Sequence, residues 1–438
     1  MAAVAGVDFI KDVHPILQSR CVGCHNAREA NGGLDLTDIE KMAIGGKSGP
    51  MLIQGKPDDS LLYIYVAGDP PVMPMGAAPL QKEQVEVLRR WILEGAVMTP
   101  APNEEEKKSP AAYYSPPVIS ALMYSPDGSL LAVSGYREIL VWKSDGSDSL
   151  ARLPGRSDRI NALAFSPDGS LLAAVGGSPS QFGEIQFWSV KQYMPLRAIK
   201  MTLDTLHGVS FSPDGKKAAF GDSDKNVHIV NVPFGKELVE FENHSDWVLS
   251  TTFSTDGKHL ISGGRDHALK LIEVETGSFI DDINSSNKGY GMIFSLDRHP
   301  TRDEVVEGGD DGVPRLYKIY RTHKRDVDNT DFNLLRAYPK MAGGVNVVRF
   351  SPYGALLAAG GVMGLVRLYN TESGTYKVLL RGDAVSVFSL AFHPNEPLVA
   401  VGGFEGHVRI FNIHTGELVR DFVPVPLEAN LAQAVKKD

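Results

Sequence analysis

SPDGSLLAVSGYREILVWK, residues 125–143, sets a proline and glycine turn ahead of two short apolar runs, the first ending near Gly135 and the second carrying Trp142 close to its end. The same unit recurs along the chain. Its turns read SPDG at Ser125, Ser166 and Ser212, STDG at Ser254, HPTR at His299, SPYG at Ser351 and HPNE at His393. Successive turns lie 41, 46, 42, 45, 52 and 42 residues apart, against the roughly 40–45 expected of a four-stranded propeller blade. The runs that follow, EILVWKS, EIQFWSV, NVHIVNV, ALKLIEV, VPRLYKI, LVRLYNT and HVRIFNI, alternate as half-buried strands must.

The array resembles a WD-repeat β-propeller with seven blades, and the resemblance extends to about Val425. The Trp-Asp pair of that family is degenerate throughout. Only the fourth repeat, with His244, Ser262 and Asp266, approaches the family's buried hydrogen-bonding set, and these residues are expected as blade determinants, not as a catalytic triad. Each repeat supplies its four strands in order, with GELVRDFVPV as the last outer strand, so no N-terminal strand is needed to close the ring. The longest interruption, Arg321 to Gly344, is expected as a solvated loop or a docking element.

Upstream of the array stands Cys21-Val22-Gly23-Cys24-His25, the C-x-x-C-H pattern of covalent haem attachment. Two thiols one helical turn apart can each add to a haem vinyl group, and the adjacent imidazole then faces the iron. A zinc site would need two more ligands at comparable spacing, and the chain has only 2 Cys. A thioredoxin-like pair would open a helix after a strand, whereas this motif closes the helical segment DFIKDVHPILQSR, where Asp12 is expected to cap and Pro15 to sit in the first turn. QKEQVEVLRRWILEGA predicts a second helix with Val85, Leu88, Trp91 and Ile92 as its apolar stripe and Gly95 at its stop. Between them the loop DPPVMPMGAAPL offers Met73 and Met75 as distal ligands in a segment stiffened by Pro70, Pro71 and Pro74, with Met73 preferred. Both can also be read as core-filling methionines. His14 is the competing ligand.

DVHPILQSRCVGCH, GKPDDSLLYIYV, MPMG and LRRWILEGA together resemble the planctomycete-type cytochrome c domain over about the first hundred residues. That resemblance implies a Met of an M-P-P-x-G loop as the distal ligand, which falls on Met73; here Met75 replaces the second proline. It also implies attachment of one haem c outside the cytoplasmic membrane of a bacterium, hence a periplasmic or extracellular, exported protein.

The expected architecture is therefore multidomain: a small all-α cytochrome c domain at 1–97, a linker at 98–117 rich in proline and charge, an all-β seven-bladed propeller at 118–425 and a tail at 426–438. A net charge of −9 and the lack of a basic patch argue against nucleic acid as a partner. No apolar stretch reaches the length of a membrane span. The opening MAAVAGVDF lacks the charged and apolar regions of a secretory signal and is read as a mature or truncated start. The reading that fits best is a mono-haem carrier of single electrons whose propeller docks redox partners or a membrane-associated complex, with no catalytic residue assigned. The alternative is a redox enzyme subunit whose propeller holds a substrate or second cofactor, although His207, His228, His259, His267, His323, His407 and His414 lack metal-site spacing. A third is a scaffold in which the haem is structural or sensory.

Overall fold

The computed structural model describes residues 7, 9–26, 29, 31–36, 42, 45–96, 112–233, 235–284, 290–322, 333–381 and 385–428. They belong to two compact units. Most of the expected linker, the middle of the 321–344 interruption with His323, and the end of the expected tail lie outside the described residues.

The N-terminal unit is helical. A π-turn at Phe9–Val13 leads into α1, His14–Arg20; α2 spans Leu61–Ala67 and α3 spans Lys82–Leu93. Pro15 lies in the first turn of α1 as expected, but the N-cap is Val13 and not Asp12, because the π-turn carries the helical path past the aspartate. α3 opens with a capping box in which Gln81 and Gln84 satisfy each other's main-chain donors. It ends where Gly95 takes φ +100, a conformation that favours glycine. Leu88, Trp91 and Ile92 are fully buried against Phe9, Val13 and Leu17, and the Phe9 and Trp91 rings stack at 5.5 Å. α2 was not marked by the sequence. Its run LLYIYVA mixes β-branched and aromatic residues of strand preference, and burial of Leu62 and Val66 holds it helical.

The C-terminal unit is a seven-bladed propeller. Blade 1 comprises β1 (Leu122–Tyr124), β2 (Leu130–Ser134), β3 (Glu138–Lys143) and β4 (Ser149–Pro154). The other blades occupy 159–202, 206–241, 248–282, 293–337, 345–381 and 387–422. All seven are antiparallel sheets of four strands in chain order. The expected interruption at 321–344 is corrected in one part: Leu334–Ala337 is the outer strand of blade 5, and Tyr338 and Met341 after it are buried. The extra length lies ahead of that strand.

The turn signal has a mechanism. The Ser125 hydroxyl donates to Asp127 at 2.5 Å and accepts from the Leu130 N–H at 3.0 Å, while Asp127 accepts from the Ser129 N–H at 3.0 Å. In blades 5 and 7 histidine does this work through its ring. His393 Nδ1 accepts from the Asn395 and Glu396 N–H groups at 3.2 and 2.9 Å, and His299 Nδ1 accepts from Thr301 and Arg302 at 3.3 and 3.1 Å.

Inner strands present unpaired main-chain groups to the central channel, and such groups need partners. Polar side chains stitch every neighbouring pair of blades. Ser120 donates to the Ile160 carbonyl at 2.5 Å, Asn161 to that of Leu206 at 2.8 Å, and Asn346 to that of Val387 at 2.9 Å. Ser210 bonds Thr251 at 3.1 Å. The hydroxyls of Ser250, Ser295 and Ser389 accept from the N–H groups of Leu296, Val348 and Leu122 at 3.1, 3.2 and 2.7 Å. The last of these joins blade 7 to blade 1. Beyond blade 7 the chain folds back onto blade 1: Trp142 Nε1 donates to the Pro424 carbonyl at 3.2 Å, and Tyr113 pairs in parallel with Leu427. Residues at the edges of the expected linker and tail thus meet.

Candidate haem site

α1 ends by delivering the cysteine motif. The Leu17 carbonyl accepts from the Cys21 and Val22 N–H groups at 2.9 and 3.0 Å, and the Cys21 carbonyl accepts from Cys24 and His25 at 3.1 and 3.0 Å. These bonds wind Cys21, Cys24 and His25 onto successive turns. Cys21 is half-buried against the helical core, and Cys24 is exposed; both are free thiols. Burial pushes the Cys21 thiol up to about 11, with the Arg20 charge pulling the other way. A Cβ at Gly23, between the thiols, would meet nothing within 4 Å.

His25 Nδ1 lies 3.0 Å from the Asn31 carbonyl. A carbonyl only accepts, so Nδ1 carries the proton and the Nε2 lone pair is left for a ligand. The carbonyl of His25 itself accepts from the Leu36 N–H at 2.9 Å. The donor set therefore fits a covalently held haem: two unpaired thiols one turn apart, an imidazole whose Nδ1–H is spent on the main chain, and open space beside Gly23.

Across the same core, the Tyr65 carbonyl at the end of α2 accepts from the Val72 and Met73 N–H groups, both at 2.9 Å. Met73 packs half-buried against the cluster that includes Cys21 and Val22, whereas Met75 is 76% exposed. His14 sits edge-on to Phe9 at 5.8 Å with Nε2 3.2 Å from Gln18 Nε2. Two contacts went unread in the sequence. One is the Asn31 carbonyl, for which the only signal was the Asn-Gly-Gly turn behind the motif, where Gly32 and Gly33 take φ +67 and +75. The other is Arg20, whose Nη2 donates to the carbonyls of Ala78 and Pro79.

In the propeller, His244 Nδ1 bonds Asp266 at 2.9 Å and its Nε2 bonds Ser262 at 2.7 Å, with the His244 side chain fully buried. The set ties the loop leading into blade 4 and the turn at Asp266 to Ser262 on the second strand of that blade, and none of the three lines the central channel. The central channel forms a cavity of about 420 Å³ whose charged lining residues are Asp297 and Arg349. Burial pushes the Asp297 carboxyl up, and it accepts from the Phe350 and Arg298 N–H groups at 2.6 and 3.1 Å. Arg349 donates to the Val348 carbonyl at 2.8 Å. Among the described residues no helix is long and apolar enough to cross a membrane.

Residues 21–75 match the family described as Planctomycete cytochrome C. Residues 147–178, 235–273 and 374–412 match the WD domain, G-beta repeat, and the second of these holds the His244, Ser262 and Asp266 set. Cleavage stimulation factor subunit 50 of Arabidopsis thaliana is 25% identical over 183 residues, 37% of this chain and 39% of that protein. A guanine nucleotide-binding protein subunit beta of Oryza sativa subsp. japonica is 26% identical over 211 residues, 45% of this chain and 52% of that protein. A serine-threonine kinase receptor-associated protein of Dictyostelium discoideum is 31% identical over 88 residues, 20% of this chain and 30% of that protein. The chain thus spans about half or less of the length of these relatives. With the helical unit and the seven four-stranded sheets, these matches show a segment similar to the Planctomycete cytochrome C family ahead of a seven-bladed propeller that carries WD repeats.

Proposed function

We propose that this chain is an exported electron carrier with one haem c, attached through Cys21 and Cys24, with His25 as the proximal iron ligand and Met73 as the distal one. Its domains run 1–97 for the cytochrome and 118–425 for the propeller, joined by the 98–117 linker and followed by the 426–438 tail. The observation that carries the reading is the His25–Asn31 bond, which spends Nδ1 on the main chain and leaves Nε2 for iron. Met73 is favoured over Met75 because a distal sulfur must be held against the core, and Met75 stands in solvent.

When bound, the haem supplies one-electron redox chemistry. This chain's own part is to fix the two thiols, hold the imidazole in one tautomer and keep a thioether pressed on the core, so that little rearranges between oxidation states. The propeller serves as the docking platform for redox or assembly partners, a role that wide blade surfaces fill without chemistry of their own. Periplasmic or extracellular location follows from covalent haem attachment. Denaturing electrophoresis with haem peroxidase staining tests the proposal: the band stains in protein made with a working maturation system and does not in the variant with Cys21→Ala and Cys24→Ala. An unstained wild-type band defeats it.

A further inference from the structure

We propose that Arg20 is a positioning residue that clamps the Met73 loop across the haem site, an inference that rests on the axial ligation proposed above. Arg20 is the last residue of α1 and directly precedes the first attachment thiol. Its Nη2 donates to the Ala78 carbonyl and, at 3.2 Å, to that of Pro79, 58 and 59 residues along the chain. These two carbonyls close the segment that begins at Met73. The segment is therefore tied at both ends, at its start by the Tyr65 carbonyl and at its finish by the guanidinium. Buried Leu80 follows immediately.

Between the ties, beyond the stiffness of Pro74, side-chain packing gives the loop little hold of its own. Met75 points into solvent, Gly76 has no neighbour within 4 Å of where a Cβ would be, and residues 74–79 form no regular element. Arg20 thus joins the helix that delivers the proximal ligand to the loop that delivers the distal one. Both bonds pass through one terminal nitrogen, while Nε is buried without a hydrogen-bond partner. A lysine ammonium, a compact point donor, can replace much of that hold, whereas an apolar side chain of similar length cannot.

The clamp is read by ligand exchange in the oxidised, haem-loaded full-length protein. Imidazole, titrated while the Soret band and the sulfur-to-iron charge-transfer band are followed, must displace the Met73 sulfur and open the loop. Losing charge-assisted bonds from the closed loop raises imidazole affinity by about ten- to hundredfold in Arg20→Met. Arg20→Lys stays near wild type, and Arg89→Ala on the exposed face of α3 leaves affinity unchanged. A merely structural arginine would lower the unfolding temperature without changing imidazole affinity. Should Arg20→Met not fold, Arg20→Gln, which keeps an NH₂ donor on a shorter stem, is expected to bind imidazole more tightly than Arg20→Lys. Wild-type affinity in a loaded Arg20→Met or Arg20→Gln protein overturns the clamp alone. A charge-transfer band that survives Met73→Ala overturns the ligation beneath it, and the clamp with it.

Discussion

His393 Nε2 donates to the Gly128 carbonyl at 2.9 Å, so the turn of the last blade is bonded directly to the turn of the first. The same ring accepts two N–H groups of its own turn through Nδ1. One neutral imidazole therefore shapes a turn and seals the ring. His299 repeats the arrangement two interfaces earlier, hydrogen-bonding from blade 5 to the backbone of Gly354 in blade 6. Gly128 and Gly354 take φ +78 and +72, and a Cβ at Gly128 would stand 2.7 Å from His393 Cε1.

Removing the ring closure should therefore be costly and coupled. His393→Ala is expected to lower stability by about 2 kcal/mol, because two N–H groups and one carbonyl lose their partner. Gly128→Ala alone suffers both the clash and the left-handed backbone, whereas in the His393→Ala background only the backbone cost of about 1 kcal/mol remains. Urea unfolding of the four proteins checks this, and additive effects would contradict it.

The propeller carries an acid-sensitive histidine in His207, which stacks on Trp247 at 5.8 Å and bonds Ser223 at 3.2 Å. Burial lowers its pKa from 6.5 to about 4, against the raising influence of Asp204 and Asp222. The folded state thus disfavours the proton that the unfolded chain accepts. The His207 contribution is whole above pH 6.5 and is lost as pH falls from 6.5 towards 4. The full loss is up to about 3 kcal/mol. Comparing wild type with His207→Gln at pH 7 and pH 4 isolates it, since the other titrating groups are common to both. The wild-type advantage should shrink by that amount, and a constant difference would refute the assignment.

Met73→Ala should abolish the sulfur-to-iron charge-transfer band of the oxidised protein and lower its reduction potential, while Met75→Ala should leave both nearly unchanged. Visible spectra and a redox titration distinguish them. The opposite pattern transfers the role to Met75, and no effect from either points to His14 or an open position.

Among the described residues, the buried hydrophobic side chains of the helical core run from Phe9 to Ala96. Residues 1–97 expressed alone with a maturation system should therefore fold around haem and reproduce the full-length spectrum, with at most a modest shift in potential. The propeller alone should carry no chromophore. Loss of the haem spectrum in the isolated segment, or turnover of a small substrate that needs the propeller, would shift the balance to the enzyme reading.

What the linear sequence made readable was whatever its own neighbours enforce. The thiols at Cys21 and Cys24 act within one turn, and Ser125 and Asp127 build their turn within six residues. The blade count followed from repeating that local chemistry. The outer strand Leu334–Ala337 was missed because only pairing with its blade distinguishes four residues inside the 321–344 interruption of the repeat. α2 was missed because burial overrode its strand-like composition. His393 and Arg20 looked ordinary, since their partners stand 265 and 58 residues away and no periodic pattern marks such a pair. In the candidate haem site, the main-chain partner of His25 could not be read from side-chain types at all.

That each blade takes four consecutive strands has a kinetic consequence. All sheet pairings link segments adjacent in the chain, so the propeller has low contact order for an all-β fold of this size. Each sheet can form as soon as its own strands are available, without waiting for a distant one. The contacts that span nearly the whole array are those between its last and first blades, where Ser389 accepts from Leu122 and Trp142 donates to Pro424. Loop-closure entropy is thus concentrated in a single final docking event. Substitutions at that junction should slow ring closure and leave the rate of individual blade formation untouched.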